Sequence, residues 1–307
     1  MSKTWIGDGR RAVIKAIKAI NWLNSARGRP AAAASFLLNS VPKAGTNLLS
    51  KAISLLPGVQ PRHVSFLPED VRRQQPPVDG DPLVMVGVGA DAWLSLAAVE
   101  TFLRSTLLAQ AAAPTPYARG HIPFSPELSA LLRRLGLRSV LILRDPRDTA
   151  LSHVTYVMTN PAHRLHAHYQ GLPEAERLGA TLRGIPAAAP GEPFLLGIGE
   201  RYRLFLPWLQ DANTCITRFE ALVGPRGGGS EAAQIAELTA IVRHLGIPCD
   251  EATLRRVAGD LFGGTRNFRQ GASGAWRQAF DAEHKQLCKA IAGDILIALG
   301  YEADDAW

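Results

Sequence analysis

The sequence predicts a three-layer α/β protein, in which helices cover both faces of a central parallel sheet. Short apolar runs have the length and composition of buried strands, and segments with helical spacing lie between them, which is typical of this fold class. The first run also ends in a loop with Lys, Gly and Thr that opens a helix, as phosphate-binding loops do. The predicted strands are residues 35–40, 82–88, 139–144 and 214–219, and the helical segments include 48–56, 92–111 and 126–135.

The composition predicts a cytoplasmic protein with an anionic ligand. The chain has 307 residues, enough for one large α/β domain, and its formal net charge of +7 favours an anionic ligand or surface. Cys215, Cys249 and Cys288 have no CxxC spacing, which argues against a disulfide framework and a zinc site. Since no signal peptide, membrane-spanning run or nucleic-acid-binding motif is recognisable, we expect neither a membrane span nor a nucleic-acid partner.

The first element is a basic amphipathic helix at residues 10–26, with apolar side chains on one face and Arg and Lys on another. Two interpretations are open: the apolar face docks on the protein's own core, or the helix lies on an anionic membrane surface, the inner membrane face. The predicted division is an N-terminal helix and linker, residues 1–30, and a main domain, residues 31–307, with an irregular insertion at about residues 160–200 that is rich in Pro, Gly, His and Ala.

The loop SVPKAGTN is predicted to bind an anion. Backbone N–H groups of residues 44–48 point out of a tight turn at a helix N-terminus, where the helix dipole favours negative charge. Gly45 permits close approach, Lys43 adds a charge, and Thr46 and Asn47 add polar donors. Because Lys43 precedes Gly45, the GxxxxGK[ST] order of ATP-binding loops is absent. The alternative is an ordinary strand-to-helix turn.

The segment SVLILRDPRDTALSH predicts a second anion site. Its strand delivers Arg144 to the C-terminal end, and Asp145 and Pro146 have the residue types of an N-cap and a first helical position. Asp148 is placed to close a capping box. Ser152 follows Arg144 by eight residues, so both side chains can reach one anion. Alternatively, Arg144 pairs with a local carboxylate.

Two further segments suit the same chemistry. FRQGASGAWRQAF places Arg269 in a glycine-containing loop before Trp276. The alternative there is a surface loop whose Trp anchors the following helix to the core. In YARGHIPFSP, His121 comes directly after a short strand, and a histidine at a strand end near a phosphate loop is well placed to act as a base.

In order, spacing and chemistry, these segments resemble those of the cytosolic-type sulfotransferase family. That family has a P-loop NTPase-like fold and uses 3′-phosphoadenosine 5′-phosphosulfate (PAPS) as donor. SVPKAGTN resembles its 5′-phosphosulfate loop YPKSGTTW, and LRDPRDTALS resembles its 3′-phosphate motif RNPKDxxVS. GHIP resembles its THLP segment, which carries the catalytic histidine, and FRQGASGAW resembles FRKGxxGDW. With TRFEALV and HLGIP, which are similar to two further family segments, the resemblance covers about residues 35–280.

The resemblance implies a sulfotransferase that needs no metal and whose residues 31–307 form the catalytic domain. It implies that His121 deprotonates the acceptor hydroxyl and that Lys43 contacts the bridging oxygen and the transferring sulfuryl group. The product would be adenosine 3′,5′-bisphosphate (PAP), and the acceptor a hydroxyl group of a lipid, a glycan or another small alcohol or phenol. The residues assigned to the PAPS site are Lys43, Ala44, Gly45, Thr46, Asn47, Leu48, Arg144, Ser152, Phe262, Arg269, Gln270 and Gly271.

The sequence departs from the family pattern at several of these positions. Leu48 stands where the family has an adenine-stacking Trp, and Phe262 is the candidate substitute. Gln270 replaces a Lys, which removes one cation from the 3′-phosphate site. Arg119 falls where the family often has Lys and adds charge near the sulfuryl group. We interpret these differences as changes in donor affinity.

Other patterns favour different functions less well. GVGADA, residues 87–92, matches a relaxed dinucleotide-binding fingerprint but lacks the acidic residue that should follow. Four clustered histidines fit solvated or acceptor-pocket positions better than a zinc site; they are His153, His163, His166 and His168. The chief enzymatic alternative is a P-loop kinase-like phosphotransferase, with Asp91 as its Mg²⁺ candidate. The other is a membrane-associated nucleotide-binding protein without catalysis, anchored by residues 10–26.

Overall fold

The computed structural model describes residues 35–74, 80–89, 91–109, 114–187, 189, 192–264 and 272–307. The predicted helix at residues 10–26 lies outside the described residues, as do Arg269, Gln270 and Gly271. The predicted division of the chain near residue 30 therefore stays a prediction.

The described strands are β1 (Phe36–Ser40), β2 (Val64–Ser65), β3 (Leu83–Met85), β4 (Trp93–Ser95), β5 (Tyr117–Gly120), β6 (Arg138–Leu143) and β7 (Thr214–Arg218). The α-helices are α1 (Thr46–Ser54), α2 (Pro68–Arg72), α3 (Leu96–Leu103), α4 (Pro126–Arg134), α5 (Pro146–Met158), α6 (His166–Gly171), α7 (Glu174–Arg183), α8 (Ile198–Arg203), α9 (Phe219–Leu222), α10 (Glu231–Leu245), α11 (Glu251–Leu261), α12 (Trp276–Ala279) and α13 (Ala282–Ala298). A π-helical turn, Arg104–Leu108, follows α3, and 3₁₀ turns cover Leu206–Gln210 and Pro225–Gly227.

Five strands form one parallel sheet in the order β2-β5-β1-β6-β7. In the centre, Phe36 of β1 lies beside Tyr117 of β5 and Arg138 of β6. The C-terminal ends of β1, β5 and β6 therefore lie side by side at one edge of the sheet. The predicted α/β/α fold is confirmed, and each of the four predicted runs contains a strand, three of which belong to the parallel sheet.

The central strands are buried on both faces, as their continuous apolar sequences predict. Along β6, Val140 and Ile142 pack into a core with α1, α10 and α11. Leu141 and Leu143 pack into a second core with α4, α8 and α13 on the opposite face. Successive side chains of a strand point to opposite faces, so a strand between two helical layers requires apolar residues at successive positions.

Three predictions about elements need correction. The strand predicted at residues 82–88 does not belong to the parallel sheet, because β3 pairs antiparallel with β4 in a separate two-stranded sheet. The helix predicted at residues 92–111 starts with β4, and Ser95 then caps α3. The segment 160–200 contains α6 and α7 and is more regular than its composition indicates. An apolar run alone cannot show which strand it will pair with.

Among the described residues, no helix is long and apolar enough to cross a membrane. All three cysteines are free, and Cys215 and Cys288 are buried. The cysteines thus form no disulfide, as their number and spacing predict.

Candidate active site

Three functional side chains follow neighbouring strands at one edge of the sheet. Lys43 comes shortly after β1, His121 directly after β5 and Arg144 directly after β6. All three line one cavity of about 1370 Å³, whose walls also include residues of α5 and α8. The predicted segments, which are far apart in the chain, therefore meet in one place.

The loop between β1 and α1 has an unusual backbone. Lys43 has a φ of 71° and Gly45 a φ of 115°. A Cβ at Gly45 would lie 2.8 Å from Cδ2 of Phe219 and 3.0 Å from Cδ1 of Ile142, so both backbone and packing require glycine. The left-handed backbone of a non-glycine residue such as Lys43 costs about 1–3 kcal/mol and occurs mainly at functional sites.

This loop brings the N-terminus of α1 to the cavity without a cap. No side chain caps the helix, and its first turn has no acidic residue. Free N–H groups and the helix dipole make such an end attractive to an anion. Oγ1 of Thr46 lies 2.7 Å from Oγ of Ser40, and Arg119 Nη1 donates to Asn47 Oδ1 at 3.4 Å. The N–H of Ala44 donates to Val41 O at 3.0 Å, so among the predicted donors of this loop it already has a partner within the loop.

His121 is held as a neutral base. Its Nδ1 lies 2.9 Å from the backbone oxygen of Ser40, and a carbonyl oxygen only accepts, so the proton lies on Nδ1. The lone pair of Nε2 is therefore left for a substrate. Burial lowers the pKa of His121 to about 4 against the opposing Ser40 hydrogen bond, with smaller contributions from Arg119 and Lys43. The imidazole is consequently neutral at pH 7.

Buried polar groups fix the backbone beside His121. Asn39 of β1 accepts a hydrogen bond from Ile122 N–H and donates one to Ile122 O, both at 2.8 Å. Trp208 Nε1 donates to the same carbonyl oxygen at 2.9 Å. These bonds hold the end of β5 against β1 and so position the imidazole next to the β1–α1 loop.

Lys43 has an aromatic partner in the cavity. Its Nζ lies 3.6 Å from the centre of the Tyr156 ring on α5. Burial, followed by the positive charge of Arg144, lowers the pKa of Lys43 to about 8. A half-buried ammonium beside a second cation attracts negative charge from a ligand.

Arg144 lies between an aromatic ring and the loop before α12. Its guanidinium carbon is 4.2 Å from the centre of the Phe219 ring, and Nη2 donates to Ala272 O at 3.0 Å. Nε is buried and has no hydrogen-bond partner among the described residues. Asp148 Oδ2 lies 4.0 Å from Nη2, so the local carboxylate is only a distant partner. Arg144 therefore keeps hydrogen-bonding capacity for an anion.

At the start of α5, the predicted N-cap is confirmed but the predicted capping box is not. Asp145 caps the helix by accepting from Arg147 N–H at 2.9 Å, as predicted. The predicted capping box at Asp148 is wrong: its carboxylate accepts from the N–H groups of Gly274 at 2.6 Å and Trp276 at 3.0 Å. Trp276 is buried, and its ring centre lies 3.6 Å from the Arg147 guanidinium carbon. Asp148 thus ties the third predicted segment to α5, the helix that follows Arg144.

The other described candidates have different positions relative to the cavity. Leu48, Ser152 and Phe262 line it, and the guanidinium carbon of Arg226 lies 4.9 Å from the centre of the Phe262 ring. Ala44 is buried in the core behind the loop. Their contacts with a donor stay predictions.

Tyr156 and Arg201 line the cavity but were not predicted from the sequence. Tyr156 lies one helical turn after Ser152 on α5, a spacing that could have indicated it. His153 and His163 line the cavity, whereas His166 Nδ1 bonds Val157 O at 2.8 Å. Among the described residues, no group of three or more His, Cys, Asp or Glu side chains is arranged for a metal ion. Arg201 of α8 also lines the cavity, and no motif pointed to it.

Of the pattern at residues 87–92, Val88 lines the cavity, but Gly87 and Asp91 do not. Gly87 and Asp91 belong to the connection between β3 and β4, where no helix follows the first strand. The backbone oxygen of Asp91 accepts a hydrogen bond from Arg72. Neither a dinucleotide-binding turn nor a carboxylate beside the β1–α1 loop is formed there.

Comparison with solved structures relates this architecture to sulfotransferases. Mouse sulfotransferase SULT7A1, crystallised with PAP, superposes with a TM-score of 0.55 at 16% sequence identity, over 87% of this chain and 88% of its own. Retinol dehydratase superposes with TM-scores of 0.51, in complex with androsterone and PAP, and 0.52, in complex with retinol and PAP. Those two comparisons have 17% and 16% identity and cover 87% of this chain and 82% of retinol dehydratase.

No protein-family model and no curated protein matches the sequence. At these identities the likeness concerns the fold. The chain therefore has the sulfotransferase fold, which agrees with the resemblance carried by its motifs.

Proposed function

We propose that this protein is a PAPS-dependent sulfotransferase that transfers a sulfuryl group to a hydroxyl group. The observation that carries the proposal is the convergence of Lys43, His121 and Arg144 around one cavity at the sheet edge. The fold shared with sulfotransferases crystallised with PAP supports the same donor.

The cavity fits a donor with phosphate groups at both ends of its ribose. The uncapped N-terminus of α1 suits the 5′-phosphosulfate, with Lys43 and Arg119 beside it. Arg144, with its unpartnered Nε, and Ser152 suit the 3′-phosphate. The apolar surface of Phe262 suits the adenine ring. PAPS supplies the activated sulfuryl group when it is bound.

In this proposal His121 and Lys43 perform separate tasks. Nε2 of His121 takes the proton of the acceptor hydroxyl while the hydroxyl oxygen attacks the sulfur of the donor. Nδ1 stays bonded to Ser40 O and keeps the ring oriented. Lys43 stabilises the negative charge that develops on the departing phosphate oxygen. The cavity walls align the acceptor with the donor, which lowers the entropic part of the barrier.

The proposed acceptor is a small molecule with a hydroxyl group. Retinol dehydratase has been crystallised with androsterone and with retinol, which supports a small-molecule acceptor here. A lipid or glycan acceptor, membrane contact through residues 10–26 and a cytoplasmic location are finer predictions that rest on the sequence. Three free cysteines support a reducing compartment.

Ligand-induced stabilisation distinguishes the proposed donor from that of a kinase. We expect PAP without metal to raise the melting temperature of the full chain, and Mg-ATP to raise it less. Arg144→Leu should lose most of the stabilisation by PAP, whereas Arg134→Leu, an exposed arginine of α4, should keep it. Stabilisation by Mg-ATP alone would favour the phosphotransferase.

Group transfer distinguishes the enzyme from a binding protein. Full-length protein is incubated with ³⁵S-labelled PAPS and a panel of phenols, sugars, sterols and lipids. We expect label to appear on at least one acceptor. Stabilisation by PAP with no transfer to any acceptor would favour the non-catalytic nucleotide-binding protein.

A further inference from the structure

The cavity extends from Lys43 along a row of aromatic side chains. The ring of Tyr156, below the Lys43 ammonium, has its centre 5.4 Å from that of His163. The ring of His163 in turn has its centre 6.0 Å from that of His153. All four residues line the cavity. The row therefore leads from the proposed transfer site toward α8.

Arg201 of α8 is a buried cation with no counter-charge among the residues that the structure describes. Its side chain is 1% exposed and belongs to the cavity lining. Nη2 donates to Thr181 O at 3.3 Å, while Nε and Nη1 are buried without a hydrogen-bond partner among the described residues. None of the described carboxylates acts on its pKa, which burial lowers to about 10. Burying an unpaired charge is costly, so a group from outside the described residues is needed to complete this site.

Next to Arg201, His153 offers a second unsatisfied polar atom. His153 is 6% exposed, and its Nε2 is buried without a partner in the described part of the chain. Burial holds the pKa of His153 well below its usual range, and the charge of Arg201 is the next largest cause. Tyr169 connects the two groups: its ring centre lies 6.1 Å from that of His153, and its hydroxyl lies 2.7 Å from Oγ1 of Thr181, whose backbone oxygen accepts from Arg201 Nη2.

The carboxylates of the cavity are not available to neutralise these groups. The cavity lining includes Glu69 and Asp148. Asp148 is engaged by the N–H groups of Gly274 and Trp276, and Glu69 of α2 is not among the groups that shift the pKa of Arg201 or of His153. The charges that act on His153 are all positive or titratable bases: Arg201, His163, Lys43 and Arg164. This end of the cavity is suited to an anion.

We propose that Arg201, with His153 beside it, is the anion subsite of the acceptor pocket, so that the acceptor is a hydroxyl compound that also carries a carboxylate or another anionic group. This inference rests on the proposed sulfotransferase function. The donor has its own contacts at the α1 N-terminus, Lys43 and Arg144, and the rings of Tyr156 and His163 stand between Lys43 and His153. Nε and Nη1 of Arg201 are unused donors, and a hydrogen bond from a guanidinium to an anion is charge-assisted.

The test uses matched pairs of acids and neutral amides on aromatic, aliphatic and sugar frames, such as 4-hydroxyphenylacetate and 4-hydroxyphenylacetamide. Binding to the PAP-saturated full chain is measured by calorimetry, and transfer is measured with labelled PAPS. On at least one frame we expect the acid to bind about 10- to 100-fold more tightly than the amide, the usual effect of a hydrogen bond to a charged group. If no acid binds more tightly than its amide, the inference is wrong. A phosphate ester of the scaffold that binds best is then compared with its carboxylate, and the difference in affinity shows which anion the subsite prefers.

Arg201→Met removes the charge and keeps the length of the side chain. We expect this variant to bind the acid and the amide about equally, while its stabilisation by PAP is unchanged. Arg201→Lys should retain part of the preference for the acid. Arg203→Met on the same helix is the control, since Arg203 is half exposed and pairs with Asp294. An unchanged preference in Arg201→Met would overturn the inference. Absence of both PAP stabilisation and transfer in the unaltered protein would instead refute the proposed function.

Discussion

Two arginine side chains of this protein are equally buried but have opposite surroundings. Arg147 on α5 and Arg201 on α8 are each 1% exposed. Arg147 Nη2 lies 2.7 Å from Asp145 Oδ2, and its Nη1 lies 2.5 Å from Glu302 Oε1. Arg201 has two nitrogens without partners among the described residues and faces the cavity. A buried charge neutralised within the chain serves the fold, whereas one left open is suited to a ligand.

The same contrast separates two regions, the cavity and the Arg147 cluster, which we define as Asp145, Arg147, Trp276, Glu302 and Trp307. In the cluster the Arg147 guanidinium carbon lies 3.6 Å and 4.5 Å from the ring centres of Trp276 and Trp307, so the C-terminal segment is held against α5. In the cavity, the cations Lys43 and Arg201 are without a close carboxylate among the described residues. We therefore expect substitutions in the cavity to change function more than stability, and those in the cluster to do the reverse.

The largest functional effect is expected for His121→Ala. Loss of the base should lower kcat by about 10²- to 10⁴-fold, because a positioned general base contributes that much. PAP binding should change little, since His121 is assigned to the acceptor and not to the donor. Rates are measured with labelled PAPS and binding by calorimetry. His63→Ala is the control, a histidine outside the cavity lining; an equal loss of rate in that variant would show that His121 has no special role.

The largest effect on stability is expected for Arg147→Met. The substitution leaves the buried carboxylate of Asp145 and the partly buried carboxylate of Glu302 without their partner, which should lower the free energy of unfolding by about 3–5 kcal/mol. Arg201→Met should leave it unchanged or raise it, because an unpaired buried charge is removed. Urea denaturation of both variants measures the difference. Equal destabilisation would contradict the assignment of Arg201 to a ligand.

Asp148→Asn should affect both regions, because this carboxylate joins α5, the helix that follows Arg144, to the loop before Trp276. Weaker bonds to the N–H groups of Gly274 and Trp276 should loosen the loop at the proposed 3′-phosphate site. We expect PAP to bind about 10-fold less tightly. Asp294→Asn, which alters an exposed carboxylate, should bind PAP normally. A normal affinity for PAP in Asp148→Asn would show that the loop does not depend on this carboxylate.

The smallest effects concern pH. The pKa of His121 is lowered to about 4, so its base form is present above that pH, and the pKa of Lys43 is lowered to about 8, so its cation is lost as the pH rises through 8. We expect kcat/KM, which reports the free enzyme, to rise through about pH 4 and to fall through about pH 8. Lys43→Arg should move the alkaline limit upward, because arginine stays protonated. An unchanged alkaline limit would assign it to another group.

The pH dependence of the free energy of unfolding tests whether His121 and His244 are buried as neutral imidazoles. Between pH 6.5 and 4 the unfolded chain binds protons on His121 and His244, whose folded pKa values are each lowered to about 4, chiefly by burial. The free energy of unfolding should therefore decrease as the pH falls through this range. Thermal melts from pH 7 to 4 measure this decrease, and the double variant His121→Gln/His244→Gln should show a smaller one. An equal decrease in the double variant would contradict the assignment.

Local features of the site could be predicted from the sequence. Asp145 and Pro146 have the residue types of a helix start, and His121 and Arg144 directly follow runs that form strands. Partners that come from elsewhere in the chain could not be predicted. Asp148 satisfied a local capping pattern, but the N–H groups of Gly274 and Trp276 occupy its oxygens instead. Likewise, the apolar run around β3 revealed a strand but not its partner.

By itself, the sequence determined the buried strands of the α/β sheet and the order along the chain of the segments that we propose to bind anions. Burial on both faces requires continuous apolar residues, and strand ends require particular turn and cap residues, so both leave a local pattern. The tertiary structure alone decided that Tyr156 lies below Lys43 and that Arg201 is buried with no carboxylate beside it in the described part of the chain. The packing of α5 and α8 beside the sheet edge selects these neighbours, and contacts between distant segments leave no periodic pattern in the sequence.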